Sequence, residues 1–236
     1  MDMLLLKEYI LDAVVIGIIL WCAVKAYQKG AVQAGLGFLP MILAIGAAYF
    51  CSPIFSKVLR GTPFFAFLQS KIQTTLKLDG VLGDSILETQ TKLIQNMDIP
   101  SFLKNSLLEN NNPVVYGILK ADKVQDYITG YLANVCLNII SVVLIIVIIW
   151  FVAKLILGAL NLVMKLPGLS FLNRLCGLMI GTLQGVSIVW LIGLVLTFFY
   201  YNPRWSVFFS MLENSKVASI FYENNLLLLM ILKIFV

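Results

Sequence analysis

Few side chains in the apolar stretches of this chain could hold a polar partner: Asp12, Asn134, Asn138, Ser141 and Gln184. A carboxylate at membrane depth can carry a proton or bind a cation, and such residues are costly enough to count as functional candidates. Amides and hydroxyls offer hydrogen bonds to a solute or, more plainly, to a neighbouring helix. Asn134 and Asn138 are four apart and share one helical face. Ser141 and Gln184 fall at comparable depth in their own segments, so Asn134, Asn138, Ser141 and Gln184 make a candidate intramembrane polar cluster. Asp12 reads two ways: it sits in the interface near a helix N-terminus, where a negative charge is favoured, or it turns inward toward Asn134 or Asn138.

No catalytic residue can be named. Without a single histidine, histidine triads and histidine-ligated metals are impossible. No phosphate-binding loop, GxSxG or HExxH is present, nor paired intramembrane aspartates. The four cysteines, Cys22, Cys51, Cys136 and Cys176, lack CxxC spacing and read as small packing residues, with an outer Cys51–Cys136 pairing as the alternative. No enzyme, cofactor or metal is expected.

The elements that must position these groups are membrane spans. Of the 236 residues, 60% are hydrophobic and 12% charged, against roughly 25% charged in a soluble domain. Four segments are long and apolar enough to cross a bilayer: 10–27, 31–51, 132–157 and 175–201. The expected class is an all-α polytopic membrane protein. Its organisation is a first hairpin (1–51), an extracytoplasmic insert of short amphipathic helices (52–131), a second hairpin (132–201) and an external or interfacial tail (202–236). Within the insert, Asp84 and Ser85 are candidate caps for a helix with apolar residues at Ile86, Leu87, Leu93, Ile94 and Met97. Pro100 marks a second helix start. The run from Leu226 is too short for a fifth span and carries Lys233, so it reads as interfacial or docked.

Charge sets the orientation. The connection after the first span holds Lys25 and Lys29, and that after the third holds Lys154, Lys165 and Arg174. No acid occurs between Asp12 and Asp79 or between Asp126 and Glu213. By the positive-inside rule both connections are cytoplasmic, which puts both termini and the insert outside. The insert, with eight Lys/Arg and seven Asp/Glu, is nearly neutral. The net charge of +5 therefore reports topology, and a nucleic-acid partner is not expected. Lys29, Lys154 and Lys165 read as snorkelling anchors, and Arg174 as an anchor to headgroups or to the other connection. Tyr9, Tyr49, Phe50, Tyr127, Tyr131, Tyr200, Tyr201 and Trp205 gather at the outer boundary as an aromatic belt.

Gly177, Gly181 and Gly185 recur every fourth position in "CGLMIGTLQGV". Glycine is a poor helix former, and at this spacing it makes a shallow groove that another backbone can approach. The expected occupant is helix two or three, ahead of a homodimer face and of a solute path. Helix two offers Gly30, Ala34 and Gly37 as its complementary surface.

Two stretches carry a family likeness. "LDAVVIGIILWCAVKAYQKGAVQAGLG", with Asp12 seventeen residues before Lys29-Gly30, and "LPGLSFLNRLCGLMIGTLQG", a Gly/Leu turn followed by Asn-Arg and spaced glycines, resemble the bacterial colicin V production protein (CvpA) family. The resemblance implies a multi-pass protein of the bacterial cytoplasmic membrane, associated with toxin production and of undefined molecular activity. It singles out Asp12, Lys29, Gly30, Gly168, Asn173, Arg174, Gly177, Gly181 and Gly185. A non-enzymatic role in toxin production or export and envelope homeostasis is expected from it, through contacts with the lipid bilayer and with other membrane proteins or a second copy. The alternative is a small oligomeric channel or transporter with a polar step at Gln184 and Ser141.

Overall fold

The computed structural model of the chain describes residues 3–76, 87–159, 171–200 and 202–232, and those residues contain helices and no strand. Four helices carry stretches apolar and long enough to span a membrane: α1 (Met3–Lys29), α2 (Ala31–Arg60), α7 (Val124–Ala159) and α8 (Phe171–Leu196). Among the described residues, four shorter helices lie between the second and third spans: α3 (Pro63–Thr75), α4 (Leu87–Gln95), α5 (Ser101–Glu109) and α6 (Pro113–Leu119). After α8 come α9 (Ser206–Asn214), α10 (Ala218–Glu223) and α11 (Leu226–Leu232). Asp84, Ser85, Ile86, Lys165, Gly168, Tyr201 and Lys233 lie outside the described residues.

The break between α1 and α2 is compressed into one residue. Gly30 has φ 79°, a left-handed conformation that a side chain would strain. The two helices that leave it splay apart. Packing of the spans is dominated by α1 on α8 and by α2 on α7, with a smaller α2–α8 contact; the sequential neighbours α1–α2 and α7–α8 touch much less. The spans thus stand in a row, α1, α8, α2, α7, and the expected close packing of two sequential hairpins gives way to pairing between distant segments. The reason is steric. α8 presents glycines to α1, while α2 buries a spiralling row of small residues, Ala44, Ala48, Ser52 and Ser56, on which α7 can lie closely.

The core sits at the end of the row where α2 finishes and α7 begins. Ile94, Leu103, Leu107, Tyr127, Ile128, Tyr131 and Leu132 are almost wholly inaccessible there. Tyr127 donates to Leu107 O at 2.6 Å and stacks on Tyr116 with centroids 4.7 Å apart. The Tyr131 hydroxyl bonds Ser106 Oγ and accepts from Asn110 Nδ2. Tyr127 and Tyr131 therefore pin the insert to α7 instead of joining an aromatic belt. Tyr9, Tyr49 and Phe50 do remain exposed.

The tail is docked. Leu227, Leu228, Ile231 and Leu232 are buried, and α11 contacts both α7 and α8, which fills the space those two helices leave between them. Phe102 of α5 meets Tyr222 of α10 edge-on at 5.7 Å, so insert and tail share one core.

Candidate functional site

The glycine groove of α8 is filled by α1. A Cβ built on Gly177 would lie 2.5 Å from Ala26 O, one on Gly181 2.5 Å from Ala26 Cβ, and one on Gly185 2.8 Å from Ile19 Cα. Real Cβ atoms do not approach so closely, so these three positions need hydrogen in place of a side chain. Helix two meets the groove at its Gly177 end, where a Gly177 Cβ would stand 3.1 Å from Ala31 N, and otherwise touches α8 beside the glycine row, as at Gly35 and Ile180. The expected docking onto helix two is thereby corrected to docking onto helix one, whose small residues Cys22, Ala23 and Ala26 form the matching surface. Of the proposed helix-two face, Ala34 is buried, Gly30 is the hinge itself, and Gly37 has nothing within 4 Å of a built Cβ. Asn173 completes the apex. Its Oδ1 accepts from Ala31 N at 3.0 Å, satisfying one of the orphan donors at the start of α2. Arg174 and Lys29 are exposed, as anchors would be.

Asp12 neither opens a helix at the interface nor faces Asn134 or Asn138. It lies within α1, is 7% exposed, and points at the tail. Its Oδ1 accepts from Val217 N and Ala218 N, each at 2.8 Å, and its Oδ2 from Lys216 N at 3.1 Å. Three N–H donors at the turn into α10 are thus satisfied by one carboxylate, and hydrogen bonds to a charged acceptor are the stronger kind. Beside it is an apolar cavity of about 250 Å³ between α1, α8 and the tail, lined by Leu11, Val15, Gly193, Leu212 and Tyr222 among others. A second tie holds the tail to α8. Asn225, fully buried, accepts from Leu227 N and Leu228 N at the start of α11 and donates to Trp190 O at 2.8 Å. Gly193 makes room for it, since a Cβ there would stand 3.2 Å from Asn225 Nδ2. Between these ties, burial pushes the Tyr222 hydroxyl up to about 12, against a weaker opposing effect of its bond with Thr197.

The four members of the intramembrane polar cluster are not brought together. Asn134, Asn138 and Ser141 are buried on one face of α7. Asn134 Oδ1 accepts from Arg60 Nη2 at 2.8 Å, at the end of α2. Asn134 Nδ2, Arg60 Nε and Ser52 Oγ are buried with no partner, and Ser141 donates to Leu137 O in its own helix. Gln184 instead lines a cavity between α1, α2 and α8 at the Gly30 end, with Trp21, Lys25, Lys29 and Gln33.

Sequence reasoning passed over Arg60, Asn225 and Gly193. Arg60 had a signal, a cation at the limit of an apolar run with Asn134 predicted on the same side. Asn225 and Gly193 had only weak ones, because a cap and a close approach are defined by what arrives from 35 residues away. The cysteines are all free, which removes the Cys51–Cys136 pairing. Among the described residues no group of three His, Cys, Asp or Glu side chains could hold a metal ion.

Against known proteins, residues 114–225 match a family described as Colicin V production protein. No curated protein and no solved structure matches the chain. The matched region runs from α6 to Asn225 and so contains the receiving surfaces of both α1 contacts, the glycine groove and the amides that hold Asp12. The first hairpin, which carries the partner halves, lies outside it.

Proposed function

We propose that this chain, whose residues 114–225 match the colicin V production protein family, is a non-enzymatic, multi-pass member of that family in the bacterial cytoplasmic membrane. It acts through contacts with other membrane proteins, in toxin production or export and in envelope homeostasis. Both termini and the 52–131 insert face outward, as the lysine-bearing, acid-free connections on the opposite side support. The observation that carries the proposal is the row of spans: apolar residues stay exposed along α1 and α7, Leu20, Trp21, Val147 and Phe151 among them. Such a row offers broad lateral faces to lipid and to partner helices.

In-membrane crosslinking with mass spectrometry tests it by naming partners and oligomeric state together. Crosslinks from the exposed faces of α1 and α7 to defined envelope proteins or to a second copy are expected. Catalytic turnover by the purified protein in lipid, abolished by substituting one polar residue, would overturn the proposal. The channel alternative needs Gln184 and Ser141 on one path, whereas they occupy a lateral cavity and a buried face of α7. Vesicles holding the protein should accordingly leak no more than empty ones, with Gln184→Leu indistinguishable.

A further inference from the structure

The cavity at the Gly30 end has an unusual charge environment. It measures about 330 Å³ and converges Lys25, Lys29, Gln33 and Gln184 from three different helices. Those lysines have no carboxylate to meet. The sequence is free of acids from residue 13 to 78 and from 127 to 212, which covers α1 beyond Asp12, all of α2, and nearly all of α7 and α8. Asp12 itself is thirteen residues from Lys25 along α1, roughly 20 Å at 1.5 Å per residue, and is already engaged with the tail. Among the described residues no hydrogen bond uses the amide of Gln33 or Gln184. In a span, donors of this kind need a partner, because hydrocarbon supplies none. The cavity is also reachable from the side: Trp21, Lys25, Lys29, Gln33 and Gly37 are exposed. Lys25 Nζ rests over the Trp21 ring at 4.5 Å from its centroid, so an ammonium is held on an apolar wall at one edge of the opening. Gly37, with nothing near a built Cβ, keeps the wall on the α2 side low.

Two ammonium groups and two amides, with no carboxylate in the stretches 13–78 and 127–212 to meet them, suit an acceptor that carries net negative charge and brings its own apolar tail. We propose that this cavity binds the phosphodiester headgroup of an anionic membrane lipid. The headgroup lies between Lys25, Lys29, Gln33 and Gln184, and the acyl chains run along the exposed apolar flank of Leu20, Val32 and Leu36. Basic pockets between spans are a recognised means of holding such headgroups. A zwitterionic lipid is the poorer ligand, because its own ammonium offsets the charge that the lysines would meet.

The test is native mass spectrometry of the full-length chain released from nanodiscs that contain phosphatidylglycerol or cardiolipin mixed with phosphatidylcholine. The expected result is retention of anionic lipid in preference to phosphatidylcholine. At about fivefold for each lysine near a charged headgroup, Lys25→Gln with Lys29→Gln should weaken retention roughly 30-fold. Lys154→Gln, on α7 away from the cavity, should leave it unchanged. Gln184→Leu, which removes no charge, provides the second variant and should also weaken retention, so a folding defect in the lysine pair does not end the test. Inorganic phosphate added at millimolar concentration separates a lipid from a free anion, and should not displace the ligand. Equal retention of phosphatidylcholine, or retention unaffected by both variants, would overturn the proposal. So would displacement by phosphate alone.

Discussion

Replacing Gly181 by alanine adds one methyl group where α1 and α8 meet, and the geometry states where that methyl must go. It would lie 2.5 Å from Ala26 Cβ and 2.8 Å from Ala23 Cα, whereas ordinary carbon contacts are roughly 3.5–4.0 Å. The obstructing atoms are backbone or short side chains, so no rotamer change relieves the overlap, and α1 must retreat by about an ångström. Retreat would also loosen the contacts at Gly177 and Gly185. Overpacking of this kind costs about 1–3 kcal/mol, and the close approaches at Gly177, Gly181 and Gly185 are all affected at once, which favours the upper half of that range. Against it stands the better helix propensity of alanine, worth at most about 1 kcal/mol. A net loss of about 2 kcal/mol corresponds to a fall in melting temperature on the order of 4–8 °C for a chain of this size. Gly37→Ala supplies the control, since its Cβ meets nothing; there only the propensity gain remains, and stability should hold or rise. Gly193→Ala should fall between the two, because the atom it crowds is the end of the Asn225 side chain. The assay is reversible thermal unfolding in nanodiscs, with all three variants compared under one condition. If Gly181→Ala melts at or above the parent while Gly37→Ala melts below it, close approach of α1 is not what the glycines serve.

Asp12→Ala should free the amides of residues 216–218, costing on the order of 2 kcal/mol for hydrogen bonds to a charged acceptor, and hydrogen exchange at those three amides should rise well before the core opens. Asn134→Leu should destabilise by about 2 kcal/mol because it strands the Arg60 guanidinium, and adding Arg60→Met should recover part of that loss; strict additivity in the double-mutant cycle would deny the contact. For Tyr222, a folded-state value of about 12 against an ordinary 10.0 means the native state holds its proton more tightly. Its contribution is complete below pH 10, falls as pH rises from there, and is lost above about 12. Protease sensitivity of the tail should rise through that window, and Tyr222→Phe should flatten the pH dependence; an unchanged profile in the variant would place the titration elsewhere.

Much about this protein is legible from the chain alone, for physical reasons that act locally. Hydrocarbon selects for length and apolarity, so four spans announce themselves in composition; the observed limits depart from the expected ones chiefly in the second span, which runs on to Arg60, and the third, which starts at Val124. The special status of Gly177, Gly181 and Gly185 was equally visible, because a glycine row in a helix is a cost without a close neighbour to offset it. The shortness of the Leu226 run marks it as interfacial or docked, and its packing on α7 and α8 decides for docked. What a one-dimensional pattern cannot contain is the identity of the partner. Any small-residue face fits any other about equally well, so α8 could have met α2; the choice of α1 follows from the splay at Gly30 and from Cys22, Ala23 and Ala26 lying opposite. Asp12 was marked as exceptional, but its role depends on three amides 204 to 206 residues away. Backbone N–H groups leave no signature in a sequence, since every residue but proline has one. The separation of Gln184 from Asn134, Asn138 and Ser141 has the same origin. Depth along a span can be counted from the sequence, while azimuth toward a neighbour is fixed only when the helices pack.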